Sequence, residues 1–206
     1  ILKYLIASEA DIICLQEYVP LVGQDSLLRE MDRIYPYMAV MASDGYVAAG
    51  GTRLAIYSKY PITEQERIDI TTRGNTLGVF TVDVNGKPVR VINAHLETVG
   101  FSKEEKTHFS EIVHGVNEKE EMKHKSRVLL DKLAESAKIR GPQADEINAY
   151  IERHAGERFI FCGDINDHPL SYVRQTIAEN LTDCYRETGR WMGYTFEYHS
   201  MYVRID

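Results

Sequence analysis

The sequence is poor in cysteine, proline and tryptophan, and it has no long apolar run. Its 206 residues include three cysteines, six prolines and one tryptophan. Three cysteines cannot build the disulfide framework that supports small secreted domains. No segment reaches the roughly 20 apolar residues of a transmembrane helix, so we expect a soluble domain without a transmembrane segment. The chain begins with Ile1 rather than methionine, which leaves an upstream signal or anchor, and hence the compartment, open.

Basic charge is also scarce. The chain has 24 Lys and Arg against 31 Asp and Glu, a formal net charge of -7. Proteins that grip duplex DNA usually carry excess positive charge, so we expect no stable grip on duplex DNA. A nuclease stays possible, because a metal ion and a few local basic residues can hold one phosphodiester. The hydrophobic fraction of 44% is ordinary, and the length suits one domain with a substantial core.

Three short apolar runs, each predicted to be a buried strand, end in groups that can hold a metal ion or a phosphate. Strand ends are where α/β sheets build their sites. Taken singly, an acidic strand end, a lone histidine or an Asp-x-Asn turn is usually structural. Their combination favours a site for a hard cation and a phosphate. The runs and their polar groups are Ile12–Leu15 with Glu17, Val89–Ile92 with Asn93 and His95, and Phe159–Cys162 with Asp164 and Asn166.

The rest of the pattern predicts a mixed α/β chain. Asn85-Gly86 is a strong hairpin signal and predicts that Leu77–Val84 and Lys87–Asn93 are antiparallel neighbours. Gly163 is predicted to let the chain turn sharply before Asp164. Cys14 and Cys162 are predicted to be small buried hydrophobic residues. Further strands are predicted at Tyr37–Ala42 and Leu54–Ser58, and a helix at Ser26–Ile34.

The stretch from Glu97 to Glu157 is charged and helical in pattern. Gly141-Pro142 is predicted to break it, with a second helix from Ala144 to His154. One buried helix face is predicted from the spacing of four residues, Val128, Leu129, Leu130 and Leu133.

Four motifs, in order, resemble signatures of the endonuclease/exonuclease/phosphatase superfamily, which has the DNase I-like fold. The resemblance covers essentially the whole chain, and the order of the motifs makes it specific. It implies an α/β (α+β) four-layer sandwich, with two mixed β-sheets face to face and helices on both outer sides. Residues 1–206 would form a single domain, in which 97–157 is an insertion-like helical stretch. The motifs are Asp11–Glu17, Ile92–Leu96, Gly163–Asp167 and Arg204–Asp206, with Leu54–Ile62 as a further typical stretch.

The resemblance implies a hydrolase that uses Mg²⁺ or Mn²⁺ to cleave a phosphoester substrate by attack of water. Glu17 would bind the metal together with Asp164. Asp164 and Asn166 would position and activate the water. His95 would hydrogen-bond the phosphoryl oxygens and stabilise their growing charge.

Further residues are assigned less direct roles. Asp206 would orient a second histidine, the usual general acid/base of the family. Asn93 is a candidate for substrate binding. Arg73 lies just before the strand Leu77–Val84 and could reach a phosphate, although an ordinary loop arginine is the commoner case.

The chain departs from the family pattern at both ends. The family opens with a strand that ends in a metal-site asparagine and closes with a Ser-Asp-His motif, and neither is present in residues 1–206. We therefore expect these residues alone not to fold into a stable, active monomer, because central strands would be missing. The alternative function is a non-catalytic binding or scaffold module with an incomplete site. Among substrates, the acidic charge favours a small or lipid-derived phosphoester over duplex DNA. The sequence leaves open whether the substrate is a diester or a monoester and whether one metal ion or two are used.

Overall fold

The computed structural model divides the chain into two compact units. The first contains Ile1–Leu96 with Ala149–Asp164, and the second contains Glu97–Asn148 with Ile165–Asp206. Glu17, His95 and Asp164 therefore belong to the first unit. The structure describes residues 2–19, 25–43, 53–113, 121–198 and 201–206.

The first unit contains a three-stranded antiparallel sheet in the order β1-β3-β2. The strands are β1 (Ile12–Leu15), β2 (Tyr37–Ala42) and β3 (Arg53–Ser58), so the predicted strands are confirmed to within one residue. The central strand β3 is almost wholly buried, as expected for a run covered on both faces.

Two short helices cover one face of this sheet. They are α1 (Leu2–Ala7) and α2 (Asp25–Ile34). Their apolar side chains form one buried cluster with inward-facing residues of β1 and β3, which makes this the outer helical layer of the sandwich. The buried members are Leu2, Met31 and Tyr35 from the helical side and Ile13, Ala55 and Tyr57 from the sheet.

A second sheet of the same unit has the order β4-β5-β6-β7. Its strands pair antiparallel except for β6 and β7, which run parallel. Asn85 and Gly86 have φ values of 55° and 80°. These are the values of a type I′ turn, and β5 and β6 pair antiparallel on either side of it, so the predicted hairpin is confirmed. The strands are β4 (Ile62–Arg67), β5 (Thr76–Asp83), β6 (Pro88–His95) and β7 (Phe159–Asp164).

The two sheets pack face to face around a largely apolar core. Ile56 of β3 lies in one cluster with Phe80, Val82 and Val91 of the second sheet. On the opposite face of that sheet, Tyr150 packs edge-on against Phe159. The layers are therefore the two short helices, the three-stranded sheet, the four-stranded sheet and the helical segment that carries Tyr150. The predicted sandwich class is confirmed.

The second unit is mainly helical. None of the helices among the described residues is long and apolar enough to cross a membrane. Its elements are α3 (Lys103–Val113), α4 (Glu121–Arg153, whose last residues from Ala149 belong to the first unit), α5 (Tyr172–Ala178), α6 (Cys184–Thr188), β8 (Phe196–Tyr198) and β9 (Met201–Val203).

Two predictions for α4 are wrong. The helix continues through Pro142 instead of ending there. Proline removes one helical hydrogen bond, but the buried side chains that follow it, beginning with Gln143 and Ala144, hold the helix by packing. Leu129 is buried, whereas Val128 and Leu130 are 40% and 63% exposed. Consecutive residues are 100° apart on a helix, so these two flank the buried face instead of belonging to it.

Candidate active site

Glu17 lies in a bulge at the end of β1. Leu15 pairs with Ala55, and pairing resumes where the Tyr18 N–H donates to the Arg53 carbonyl oxygen at 2.9 Å. Over this stretch β1 has one residue more than β3. The extra residue adopts left-handed backbone, with φ of 52° at Glu17. Bulges re-aim side chains, and the Glu17 side chain is exposed.

His95 and Asp164 are the last residues of β6 and β7 and are partners in the parallel register. Adjacent strands are about 4.8 Å apart, so these residues are immediate neighbours on one face. His95 is only 3% exposed, and Asp164 is half-buried. β6 extends three residues and β7 two residues beyond the predicted apolar runs, so the polar groups lie on strand ends and not in loops.

Gly163 has a different role from the predicted one. It lies within β7, opposite Ala94 of β6. A Cβ at Gly163 would stand 2.5 Å from the Ala94 carbonyl oxygen. The glycine is therefore needed because the two strands approach closely. The residue of this segment with left-handed backbone is Asn166, with φ of 51°.

Asn93 is fully buried between the two sheets. Its Nδ2 donates to the carbonyl oxygens of Leu15 at 3.3 Å and Ala55 at 3.0 Å. Its Oδ1 accepts from Gln16 Nε2 at 2.7 Å. The side chain thus points from β6 towards β1 and β3, and His95, two residues further along, shares that direction.

Arg73 lies exposed in the segment that leads into β5. The first residue of β5, Thr76, pairs with His95. The neighbouring Asn75 is buried, and its Nδ2 donates to the Leu96 carbonyl oxygen at 2.5 Å. The segment that carries Arg73 is thereby fixed beside the end of β6, and its role in phosphate binding stays a prediction.

Asn166 and Asp206 belong to the second unit. The Ile165 N–H donates to the Ile205 carbonyl oxygen at 2.9 Å, which places their two segments side by side. Asn166 is half-buried and Asp206 is exposed.

A buried polar cluster in the second unit was not identified from the sequence. Arg140 Nε donates to Asp167 Oδ2 at 3.1 Å, and the two side chains are 4% and 14% exposed. Arg140 Nη1 also donates to the Glu97 carbonyl oxygen at 3.0 Å. The Glu97 N–H donates to Gln143 Oε1 at 3.0 Å. Helix α4 therefore holds both the residue after Asn166 and the segment that follows β6. The spacing of Arg140 and Gln143 places both on one helix face and could have indicated the cluster. The helix was predicted to break between them at Pro142, so the spacing was not recognised.

Cys14 and Cys162 face each other across the two sheets. Each lies two or three residues before a carboxylate of the candidate site, on β1 and β7 respectively. The hydrogen bond between the two thiols, together with burial, raises the pKa of Cys14. Cys14 packs against the core between the sheets, but both cysteines are half-buried and not fully buried as predicted.

The donor chemistry at these strand ends suits a hard divalent cation. Glu17 and Asp164 offer carboxylate oxygens, and Mg²⁺ is commonly held by one or two carboxylates together with water and substrate phosphate. Within the described part of the chain, no group of three or more His, Cys, Asp or Glu side chains is arranged to hold a metal ion.

Two packed sheets between helical layers, with polar strand ends at one edge, define the DNase I-like sandwich. The sequence profile of the Endonuclease/Exonuclease/phosphatase family matches residues 1–206. The chain belongs to this family. Its members are metal-dependent phosphoesterases or nucleases. No curated protein sequence matches the chain.

Solved structures agree on the fold. Sphingomyelinase C from Streptomyces griseocarneus is 18% identical in sequence, with a TM-score of 0.57. The matched region covers 87% of this chain and 61% of the sphingomyelinase chain. TDP2 of D. rerio, humanized by 14 mutations, is 16% identical with a TM-score of 0.59, covering 98% and 70%. A mutant of beta toxin from Staphylococcus aureus with bound magnesium ions is 19% identical with a TM-score of 0.53, covering 83% and 57%. The chain thus spans about three fifths of the length of sphingomyelinase C.

Proposed function

We propose that the protein is a divalent-metal-dependent phosphoesterase that hydrolyses a phosphodiester or phosphomonoester by attack of water. The observation that carries this proposal is the in-register placement of His95 and Asp164 on adjacent strand ends. The bulge that turns Glu17 out of β1 lies on the facing sheet, tied to β6 through Asn93. Membership of the family supports the same class of reaction.

The residues of the first unit have complementary roles in this proposal. Glu17 and Asp164 would hold Mg²⁺ or Mn²⁺ through their carboxylate oxygens. Such an ion, when bound, neutralises phosphoryl charge and lowers the pKa of water. His95 donates a hydrogen bond to a phosphoryl oxygen, where negative charge grows in the transition state. Its position on a buried strand end keeps the imidazole oriented before substrate arrives.

The remaining residues keep the roles that the family resemblance implies. Asp164 would accept a hydrogen bond from the attacking water, and Asn166 would orient that water through its side-chain amide. Asp206 orients the second histidine of the family mechanism. Arg73 is proposed to contact the substrate phosphate.

The substrate is proposed to be a small or lipid-derived phosphoester. The net charge of -7 repels a long polyanion more than it repels a single phosphate group. The name of one similar structure, sphingomyelinase C, places sphingomyelin among the substrates to test.

The test is hydrolysis by the full-length protein of four substrates, with Mg²⁺ and then with EDTA. These are bis-p-nitrophenyl phosphate, p-nitrophenyl phosphate, sphingomyelin vesicles and duplex DNA. Glu17→Gln and Asp164→Asn should each lower kcat by roughly 100-fold or more on any substrate that is cleaved. Asp11→Asn is the matched control, since Asp11 precedes β1 at its opposite end and pairs with Lys59 at 3.0 Å on the surface. It should retain the wild-type rate.

Normal turnover in both Glu17→Gln and Asp164→Asn would remove the proposal. Binding of Mn²⁺ and of a phosphoester without turnover of any substrate would favour the alternative, a binding module that keeps the fold.

A further inference from the structure

The amide of Asn93 joins the two sheets of the first unit. An asparagine in the interior must satisfy two N–H donors and one carbonyl acceptor. Asn93 satisfies them with the carbonyl oxygens of Leu15 and Ala55 and with Gln16 Nε2. Leu15 and Ala55 are themselves register partners, so the amide binds the last pair of the β1–β3 ladder.

These bonds lie directly beside the proposed metal carboxylates. Gln16 precedes Glu17 in the chain, and Asn93 lies two residues before His95 on the same face of β6. The next strand, β7, places Asp164 in register with His95. One amide therefore fixes the distance between the bulge of Glu17 and the strand ends of the other sheet.

A substrate contact for Asn93 does not agree with this geometry. A substrate could use the amide only by breaking three hydrogen bonds inside the sandwich. Apolar side chains fill most of the space between the sheets, and an apolar residue here would avoid the cost of desolvating an amide. Two donors and an acceptor on one short side chain fix orientation as well as distance, which apolar packing does not.

We propose that Asn93, together with Gln16, is a positioning residue that sets Glu17 in place relative to His95 and Asp164 for metal binding. The inference rests on the proposed function, because it takes Glu17 and Asp164 as the metal carboxylates. Asn93 itself touches neither metal nor substrate.

The test compares Asn93→Ser and Gln16→Met with Ile92→Val in the full-length protein. Asn93→Ser removes the paired donors and the carbonyl acceptor. Gln16→Met removes only the donor to Asn93, at nearly constant volume, and Gln16 is half-buried, so this variant should fold even if Asn93→Ser does not. Ile92 is fully buried on the same strand and faces the opposite direction, which makes it the control for lost stability.

Two measurements separate positioning from stability. Mn²⁺ affinity, followed by electron paramagnetic resonance, should fall about 10-fold in Asn93→Ser and Gln16→Met. Hydrogen exchange of the Tyr18 amide, which bonds to Arg53 across the bulge, should become faster in the same two variants. Ile92→Val should lower the unfolding temperature and leave both readouts unchanged.

The inference would be overturned if Gln16→Met, and Asn93→Ser where it folds, bound Mn²⁺ with wild-type affinity and showed only a lower unfolding temperature. The proposed function would not be affected by that result. Failure of the wild-type protein to bind Mn²⁺ or to cleave any phosphoester would overturn the proposed function, and this inference with it. The two failures are thus distinguished by whether the wild type or only the variants give the negative result.

Discussion

Two of the proposed site residues hold left-handed backbone, with φ of 52° at Glu17 and 51° at Asn166. A residue with a Cβ pays about 1 kcal/mol or more for this conformation, and asparagine tolerates it better than glutamate. The bulge at Glu17 persists because hydrogen bonds fix the chain on both sides of it, at Leu15 and at Tyr18.

At the same scale, Gly163→Ala should disturb the site without changing any of its polar groups. The added methyl would meet the Ala94 carbonyl oxygen at 2.5 Å and force β6 and β7 apart. We expect a loss of about 1–3 kcal/mol in the free energy of unfolding and a lower kcat, because His95 and Asp164 end these strands. Urea unfolding and steady-state kinetics measure the two effects.

Gly141→Ala is the comparison for that variant. A Cβ at Gly141 meets only Tyr172, at 3.9 Å, an ordinary contact distance. A change in stability as large as that of Gly163→Ala would contradict the steric explanation.

Among the elements, α4 shows how packing overrides a local helix breaker. Residues on either side of Pro142 bind the backbone of Glu97. Gln143 accepts a hydrogen bond from the Glu97 N–H, and Arg140 donates one to the Glu97 carbonyl oxygen. These bonds and the ion pair with Asp167 are buried, so they add to the stability of the helix at the turn that proline weakens. The charged stretch 97–157 is therefore, in part, support for the segments that follow β6 and β7.

Arg140→Met should destabilise the protein by about 3 kcal/mol, because it leaves Asp167 buried without its cation. Lys138→Met is the control on the same helix, since Lys138 is 72% exposed and pairs with Glu135 on the surface. It should change the free energy of unfolding by less than about 0.5 kcal/mol. Adding Asp167→Asn to Arg140→Met should recover part of the loss, and no recovery would argue against the ion pair as its cause.

The short helix α6 depends on one carboxylate. Asp183 caps its N-terminus and binds the guanidinium groups of Arg174 at 2.6 Å and Arg204 at 2.9 Å. Burial opposes ionisation, but the two arginines and the cap bonds hold the pKa of Asp183 well below its usual range. Its stabilising effect is therefore fully present above the unfolded pKa of about 3.9 and is lost as the pH falls towards the folded pKa.

Asp183→Asn should accordingly cost about 3 kcal/mol at pH 7 and progressively less below pH 4. Urea unfolding of the wild type and the variant across this pH range measures the difference. A difference that stays constant with pH would show that the charge of Asp183 is not responsible.

For the molecule as a whole, the excess of acidic residues bears on the choice of substrate. With a net charge of -7, we expect weak binding to duplex DNA and a shallow dependence of log Kd on log salt concentration. Fluorescence anisotropy with a labelled duplex at several salt concentrations measures both. Tight binding that weakens steeply with salt would contradict the preference for a small or lipid-derived phosphoester.

The sequence predicted most of the strands for identifiable reasons, and it named candidate site residues whose roles stay predictions. Apolar runs with turn signals are local features, so β1, β2 and the Asn85-Gly86 hairpin could be located from the sequence. The strand β4 was missed because, after Ile62, its side chains are exposed and polar, and its strand character comes from pairing with β5. The break predicted at Pro142 failed for the same reason, since buried packing remote in sequence determined the outcome.

The sequence by itself determined the family, the sandwich class and the residue types of the candidate site, because motif order and apolar periodicity are written along the chain. Only the tertiary structure decided how those residues are held. Close approach at Gly163, the bulge at Glu17 and the interior amide of Asn93 depend on which strands become neighbours. That choice is made by burial and hydrogen bonding between segments far apart in sequence, which no local pattern records.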